Sequence, residues 1–375
     1  MVNFDNAATT FPKPESVLRA AQEAMTQYGG NSGRGGHELA ARTSEAIYSA
    51  RATAAEFFGA EPENTVFTLN CTHALNMAIH GIMHGGGHII ISSLEHNSSA
   101  RPVAELVRNG KITLSVAEVF PDDDLTVESF RRLISQDTKA VVCTIASNVT
   151  GQLLPYRRIA ELCCKRDICF IADGAQVCGA LPVSLHDGIN ILCTSGHKGL
   201  YGLTGTGLLI SDGHFPIYPI IQGGTGSSSE RLVQPDFLPD CLESGTLNTT
   251  GIMSLKAGIN FVQQTGIEKI RNHENDLCRQ FISLISDNET ITVYRSPEVE
   301  YMPIVSFNIC DMPSGRTAEI LAEQGFCLRA GFQCSALSHA QLGTTEGTVR
   351  FSPSVFSRSQ DVVKLAKLVK NMINT

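Results

Sequence analysis

Between residues 66 and 193 short apolar runs alternate with amphipathic stretches, and each changeover falls at a turn or cap residue. The apolar runs predict strands over 66–69, 88–93, 112–119, 140–146, 168–173 and 189–193. The stretches between them carry the helical period and predict helices over 72–83, 99–108, 127–134 and 159–166. Upstream, helices are predicted over 14–28, stopped by Gly29-Gly30, and over 38–58, ended by Gly59. Such alternation is the pattern of an α/β protein with a mostly parallel sheet and helices on both faces. Past a Gly/Ser-rich loop at 223–229 the pattern changes. Two long helices are expected over 251–264 and 267–286, and strands over 291–295, 304–309, 326–329 and 348–351. Further helices are expected over 317–324 and 360–372. This divides the chain into an extended N-terminal arm at 1–14 that packs on the small domain, a large domain at 15–264 and a small α+β domain at 265–375.

In open parallel sheets ligands bind beyond the carboxyl ends of the strands. Thr72, His96, Asn148, Asp173 and Ser195 all follow apolar strand runs, so the pattern gathers them at one edge. Lys198 lies just past the run at 189–193, at the mouth of the sheet. A desolvated lysine there can lose its proton and act as a nucleophilic amine, as a Schiff base with an aldehyde cofactor requires. Asp173 ends the run at 168–173, where a carboxylate can anchor a pyridinium nitrogen. Together these two residues point to pyridoxal phosphate. Thr72 opens a helix, whose free N–H groups favour an anion.

Composition narrows the classes. A formal charge of −8 argues against nucleic acid as a partner. No apolar run approaches the roughly 20 residues of a membrane span, and the first residues lack the pattern of a signal peptide. Twelve cysteines are spread over 375 residues, mostly inside apolar patterns, which fits buried thiols in a reducing cytoplasm. No CxxC pair is present, so no metal site is expected.

The motifs, in order, resemble those of the class V aminotransferase family (fold-type I), specifically the short-loop cysteine desulfurase and selenocysteine lyase group. The likeness runs from Phe4-Asp5-Asn6-Ala7-Ala8-Thr9-Thr10 to Val349-Arg350-Phe351-Ser352. It implies a seven-stranded-type sheet, pyridoxal 5'-phosphate as cofactor and a homodimer. In Ser195-Gly196-His197-Lys198 the resemblance makes Lys198 the cofactor lysine and proton shuttle, with Ser195 and His197 on the phosphate. Asp173 would pair with the pyridine nitrogen and Gln176 with the ring oxygen. Thr72 would hold the phosphate. His96 would stack on the ring and move protons. Asn148 would face cofactor and substrate carboxylate. Ala7, Arg329 and Arg350 fall on the substrate side. Thr246, in Glu243-Ser244-Gly245-Thr246, would reach the partner subunit's phosphate. Arg329-Ala330-Gly331-Phe332-Gln333-Cys334 resembles the reactive-cysteine loop. Cys334 would take sulfur from L-cysteine as a persulfide, leave L-alanine, and pass the sulfur to an acceptor protein. The same scaffold serves selenocysteine lyases, and class V aminotransferases that need no such cysteine. Gln333 stands where many relatives carry histidine, and Leu203 where they often carry proline.

Overall fold

The computed structural model describes residues 1–33 and 36–372; the last three residues of the expected 265–375 unit lie outside them. The chain opens with β1 (Val2–Asn3). The main sheet is built from β2 (Thr65–Thr68), β3 (Gly87–Ser92), β4 (Ile112–Ala117), β5 (Thr138–Thr144), β6 (Cys169–Asp173), β7 (Ile191–Ser195) and β8 (Gly207–Ser211). Its order is β2-β8-β7-β6-β5-β3-β4, parallel except for β8, which runs antiparallel to both neighbours.

Successive side chains on these strands enter two different cores. In β6, Phe170 and Ala172 pack beneath helices Glu38–Phe58, Asp123–Leu133, Tyr156–Cys164 and Thr249–Thr265. Cys169 and Ile171 pack beneath helices Cys71–Ile82 and Asn97–Arg108. With both faces covered, the strands read as unbroken apolar runs.

A second sheet contains β9 (Ile291–Val293), β10 (Val305–Ile309), β12 (Arg329–Gly331) and β13 (Thr348–Phe351), in the order β12-β13-β10-β9 and fully antiparallel. Between β10 and β12 lies β11 (Phe326–Cys327), which pairs in parallel with β1. Phe4 is wholly buried in the core of this second unit, with its ring 4.6 Å from that of Phe351.

Three elements depart from the sequence expectation. The strand β8 was not anticipated. All five of its residues are buried, so it lacks alternation, and it emerges directly from the turn that carries Lys198. The single strand expected over 326–329 is two strands in different sheets, β11 and β12, separated at Leu328. A seven-residue helix, Ala336–Leu342, fills what was expected to be loop and ends at Gly343 in the left-handed region.

Helix Ile267–Ile285 buries Glu274, whose carboxylate accepts from the Tyr201 hydroxyl at 3.4 Å. Burial raises its pKa to about 8 against the hydrogen bond from Tyr201. The folded state therefore keeps a proton that the unfolded chain releases near its ordinary pKa of about 4.3. This contribution is fully present below that value and is lost as pH climbs toward 8. Glu274→Gln, which keeps the shape and the acceptor but cannot ionise, should gain melting temperature over the wild type as pH rises from 5 to 8. A gap independent of pH would show that Glu274 does not titrate in this window.

Candidate active site

The carboxyl ends of β5, β6 and β7 open onto a cavity of about 290 Å³, close to the size range of small-molecule sites. Ala7, Thr72, His96, Asn148, Asp173, Gln176, Ser195, His197, Lys198, Arg329 and Arg350 line it. Eight of these residues lie at strand ends, in the turns after them or in the first turn of the helix that follows, and the remaining three come from the arm and the second sheet. Thr246 and Cys334 are not among its walls.

Lys198 stands on a tight turn after β7. Gly196 N–H donates to the Thr206 carbonyl at 2.9 Å, Tyr201 N–H to that of Lys198 at 2.9 Å, and Gly202 N–H to that of Gly196 at 2.8 Å. The turn packs so closely on its neighbour that a Cβ at Gly199 would sit 2.4 Å from the Cys178 carbonyl oxygen, so only glycine fits after the lysine. Burial lowers the Lys198 pKa, while the Asp173 carboxylate works in the opposite direction. A larger fraction of neutral amine results than an exposed lysine would have.

Asp173 is 3% exposed. Its Oδ1 accepts from Ala175 N–H at 2.9 Å and from the Cys71 thiol at 3.3 Å, which fixes the carboxylate's plane. Thr72 lies in the first turn of helix Cys71–Ile82, which Asn70 caps by accepting from His73 N–H at 2.9 Å. The N–H of Cys71 donates to Ser195 Oγ at 3.3 Å, tying this helix start to the end of β7. Free N–H groups and the helix dipole meet there, as an anion requires.

His96 caps helix Asn97–Arg108. Its Nδ1 accepts from Ser98 N–H at 3.0 Å and lies 2.7 Å from Ser98 Oγ. Burial pushes its pKa down to about 4, so the ring is neutral near pH 7. With Nδ1 accepting a backbone N–H, the ring proton resides on Nε2. Burial likewise pushes His197 down to about 4, helped by the charges of Lys198 and Lys13. Glu95, directly before His96, is fully buried and raised to about 8 by that burial.

Arg350 is 1% exposed. Its Nη2 donates to Asp5 Oδ1 at 2.7 Å and its Nη1 to the Asn148 carbonyl at 2.9 Å. Gln176 Nε2 donates to the Ala7 carbonyl at 3.2 Å. Arg329 reaches out of the cavity, with Nη2 3.2 Å from Cys334 Sγ, which places a cation against the sulfur. Cys334 itself is exposed and lines a neighbouring cleft that shares Thr72, His96 and Ser98 with the cavity. Thr246 is exposed on its loop, where Asn31 Nδ2 donates to its Oγ1 at 3.4 Å.

Sequence reading missed several residues that shape the site. Asp5 is one, although it sits in the N-terminal motif. Cys71 and Ser98 are others. Thr9 Oγ1, Thr10 N–H and Lys13 Nζ all converge on the His197 carbonyl at 2.9–3.2 Å, so the arm holds the lysine turn from outside.

The cavity's chemistry fits pyridoxal phosphate. His197 Nδ1, Asn148 Oδ1 and Arg350 Nε are buried polar atoms on its walls without a hydrogen-bond partner. Such atoms are costly unless a polar ligand meets them. An amine, a buried carboxylate and a helix start face the same space as these atoms. That set matches an aldehyde, a pyridinium and a phosphate.

The family model for class-V aminotransferases matches residues 2–365. A probable cysteine desulfurase of Methanothermobacter thermautotrophicus is 30% identical, over 98% of this chain and 94% of its own length. A cysteine desulfurase of Haloferax volcanii is 28% identical, over 98% of this chain and 88% of its own. Among solved structures, the apo cysteine desulfurase of Thermococcus onnurineus NA1 superposes with a TM-score of 0.92 at 27% identity, covering 100% of this chain and 94% of that one. Sequence, fold and cavity agree, and the chain belongs to the class-V aminotransferase family.

Proposed function

We propose that this protein is a pyridoxal-phosphate-dependent cysteine desulfurase that converts L-cysteine to L-alanine and collects the sulfur as a persulfide on Cys334. The observation that carries the reading is Lys198 and Asp173 facing one cavity with Arg350, while Cys334 stands at its rim against Arg329. Relatives and solved neighbours named cysteine desulfurases support it.

Lys198 would hold the cofactor's aldehyde carbon, Asp173 its ring nitrogen, Gln176 its ring oxygen, and Thr72, Ser195 and His197 its phosphate, with His96 against the ring. When bound, the cofactor supplies an electron sink for the substrate's α-carbon. Arg350 and Asn148 would orient the substrate carboxylate, and Arg350 has an unpartnered Nε for it. The Lys198 amine would take the α-proton and return it. Cys334 Sγ attacks the substrate sulfur. An S–S bond forms, the Cβ–S bond breaks, and a proton replaces sulfur on Cβ, so cysteine and thiol give alanine and persulfide without an added oxidant.

Homodimerisation, with Thr246 serving the neighbouring subunit, a sulfur-acceptor protein and a cytoplasmic setting belong to the same proposal. So does the division into the arm at 1–14, the large domain at 15–264 and the small domain at 265–375. Borohydride treatment of the loaded protein followed by peptide mapping should find the cofactor's mass on the Lys198 peptide. In a separate, untreated sample of the loaded protein, a single turnover of L-cysteine should yield equal amounts of alanine and protein-bound sulfur. Amination of a keto acid with no alanine from cysteine would make this an aminotransferase instead.

A further inference from the structure

The geometry points to Gln333 as the positioning residue of the reactive thiol: its buried carboxamide holds Cys334 in a left-handed backbone conformation at the rim of the cavity. The inference deepens the desulfurase reading and rests on it.

Gln333 and Cys334 have φ of +42° and +60°, two consecutive non-glycine residues in a region that side chains disfavour. Such a conformation persists only where its surroundings enforce it. Gln333 is 2% exposed. Its Nε2 donates to the Thr348 carbonyl on β13 at 2.6 Å. Its Oε1 accepts from His339 Nε2 at 2.8 Å, and His339 Nδ1 in turn meets Thr344 Oγ1 at 2.7 Å. For Nε2 to donate while Nδ1 accepts, His339 must be neutral, and its burial lowers its pKa in agreement. The Gln333 main-chain carbonyl accepts from Asn148 Nδ2 at 2.7 Å, which links the loop to the cavity wall.

The other side of the cysteine is fastened as well. Asn97 N–H donates to the Cys334 carbonyl at 2.8 Å, and Ser335 Oγ to the Glu95 carbonyl at 2.9 Å. The peptide on either side of Cys334 is thus bound to the turn that carries His96 and to Asn148. A cysteine has one side-chain torsion, so the backbone largely decides where Sγ lies. Gln333 is the residue directly before the thiol, and both of its amide atoms are paired inside the fold.

The test compares the wild type with Gln333→Ala and Gln333→Gly, each loaded with cofactor. Glycine removes the steric objection to the left-handed backbone but also the anchor. The expected result is a fall in kcat for L-cysteine on the order of 10- to 100-fold in both variants. KM should change by less than about threefold. Iodoacetamide labelling of Cys334, followed by mass spectrometry at fixed pH, should slow several-fold as Sγ leaves Arg329. A glycine variant with wild-type kcat and labelling rate overturns the proposal, as does a loss confined to KM. If Gln333→Ala loses its cofactor, His339→Ala removes one partner of the amide and should produce the same split at smaller amplitude; unchanged labelling there also overturns it. Labelling reports the thiol's placement whether or not cysteine is the substrate. Absence of alanine in the wild type therefore defeats the desulfurase reading while the labelling comparison still decides the role of Gln333.

Discussion

Lys198→Ala should lower alanine formation from L-cysteine by at least about 10³-fold, the scale expected when one group supplies both attachment and proton transfer. The side chain faces the cavity, protein surrounds it, and burial biases it toward the neutral amine against the pull of Asp173. Lys198→Arg should fail equally. Arginine keeps the positive charge but cannot be deprotonated in a protein, so it separates a need for charge from a need for a free amine. Exchange of the α-hydrogen of a bound amino acid with deuterated solvent provides a second readout, because it reports proton transfer without any sulfur chemistry. Both variants should lose it. Turnover within tenfold of the wild type in either would remove Lys198 from the centre of the mechanism.

Cys334→Ser should reduce alanine formation from cysteine on the order of 10²-fold or more. The peptide at this position should also no longer gain the mass of a sulfur atom. A hydroxyl occupies nearly the same volume but is a far weaker nucleophile toward sulfur. Alpha-hydrogen exchange, which draws on Lys198, should survive the change far better than desulfuration does. That difference separates loss of the sulfur acceptor from collapse of the site. Cysteine turnover unaffected by the substitution would show that sulfur leaves by another route, and the persulfide assignment would fall.

Much of this arrangement was legible because it is local. A buried parallel strand is an apolar run, and the residue after it stands at the sheet's carboxyl edge. Asp173, Ser195, Lys198 and Asn148 could therefore be gathered from sequence position alone, and they line one cavity. What stayed hidden depends on chain separation or on dihedral angles. Asp5 meets Arg350 across 345 residues, and Cys71 meets Asp173 across 102. Neither pairing leaves a local signature. The strand β8 is buried throughout, has only three consecutive large apolar residues (Leu208, Leu209 and Ile210) and lies beside a glycine-rich turn, so the turn signal masked it. The left-handed pair Gln333–Cys334, with φ of +42° and +60°, was hidden because neither residue is a glycine, the type that marks such a backbone in a sequence.

The Asp5–Arg350 pair has a consequence for biosynthesis. A buried guanidinium, a wall residue from the arm and a carboxylate counter-ion come together only when segments 345 residues apart are both available. While the chain is still emerging from the ribosome, the main sheet can close around its own two cores, but the carboxylate clamp does not exist before residues 348–352 have been made. Any chain short of that point lacks Arg350, the group proposed to orient the substrate carboxylate beside Lys198 and Asp173. The Asp5–Arg350 pair thus cannot form until both ends of the chain are present.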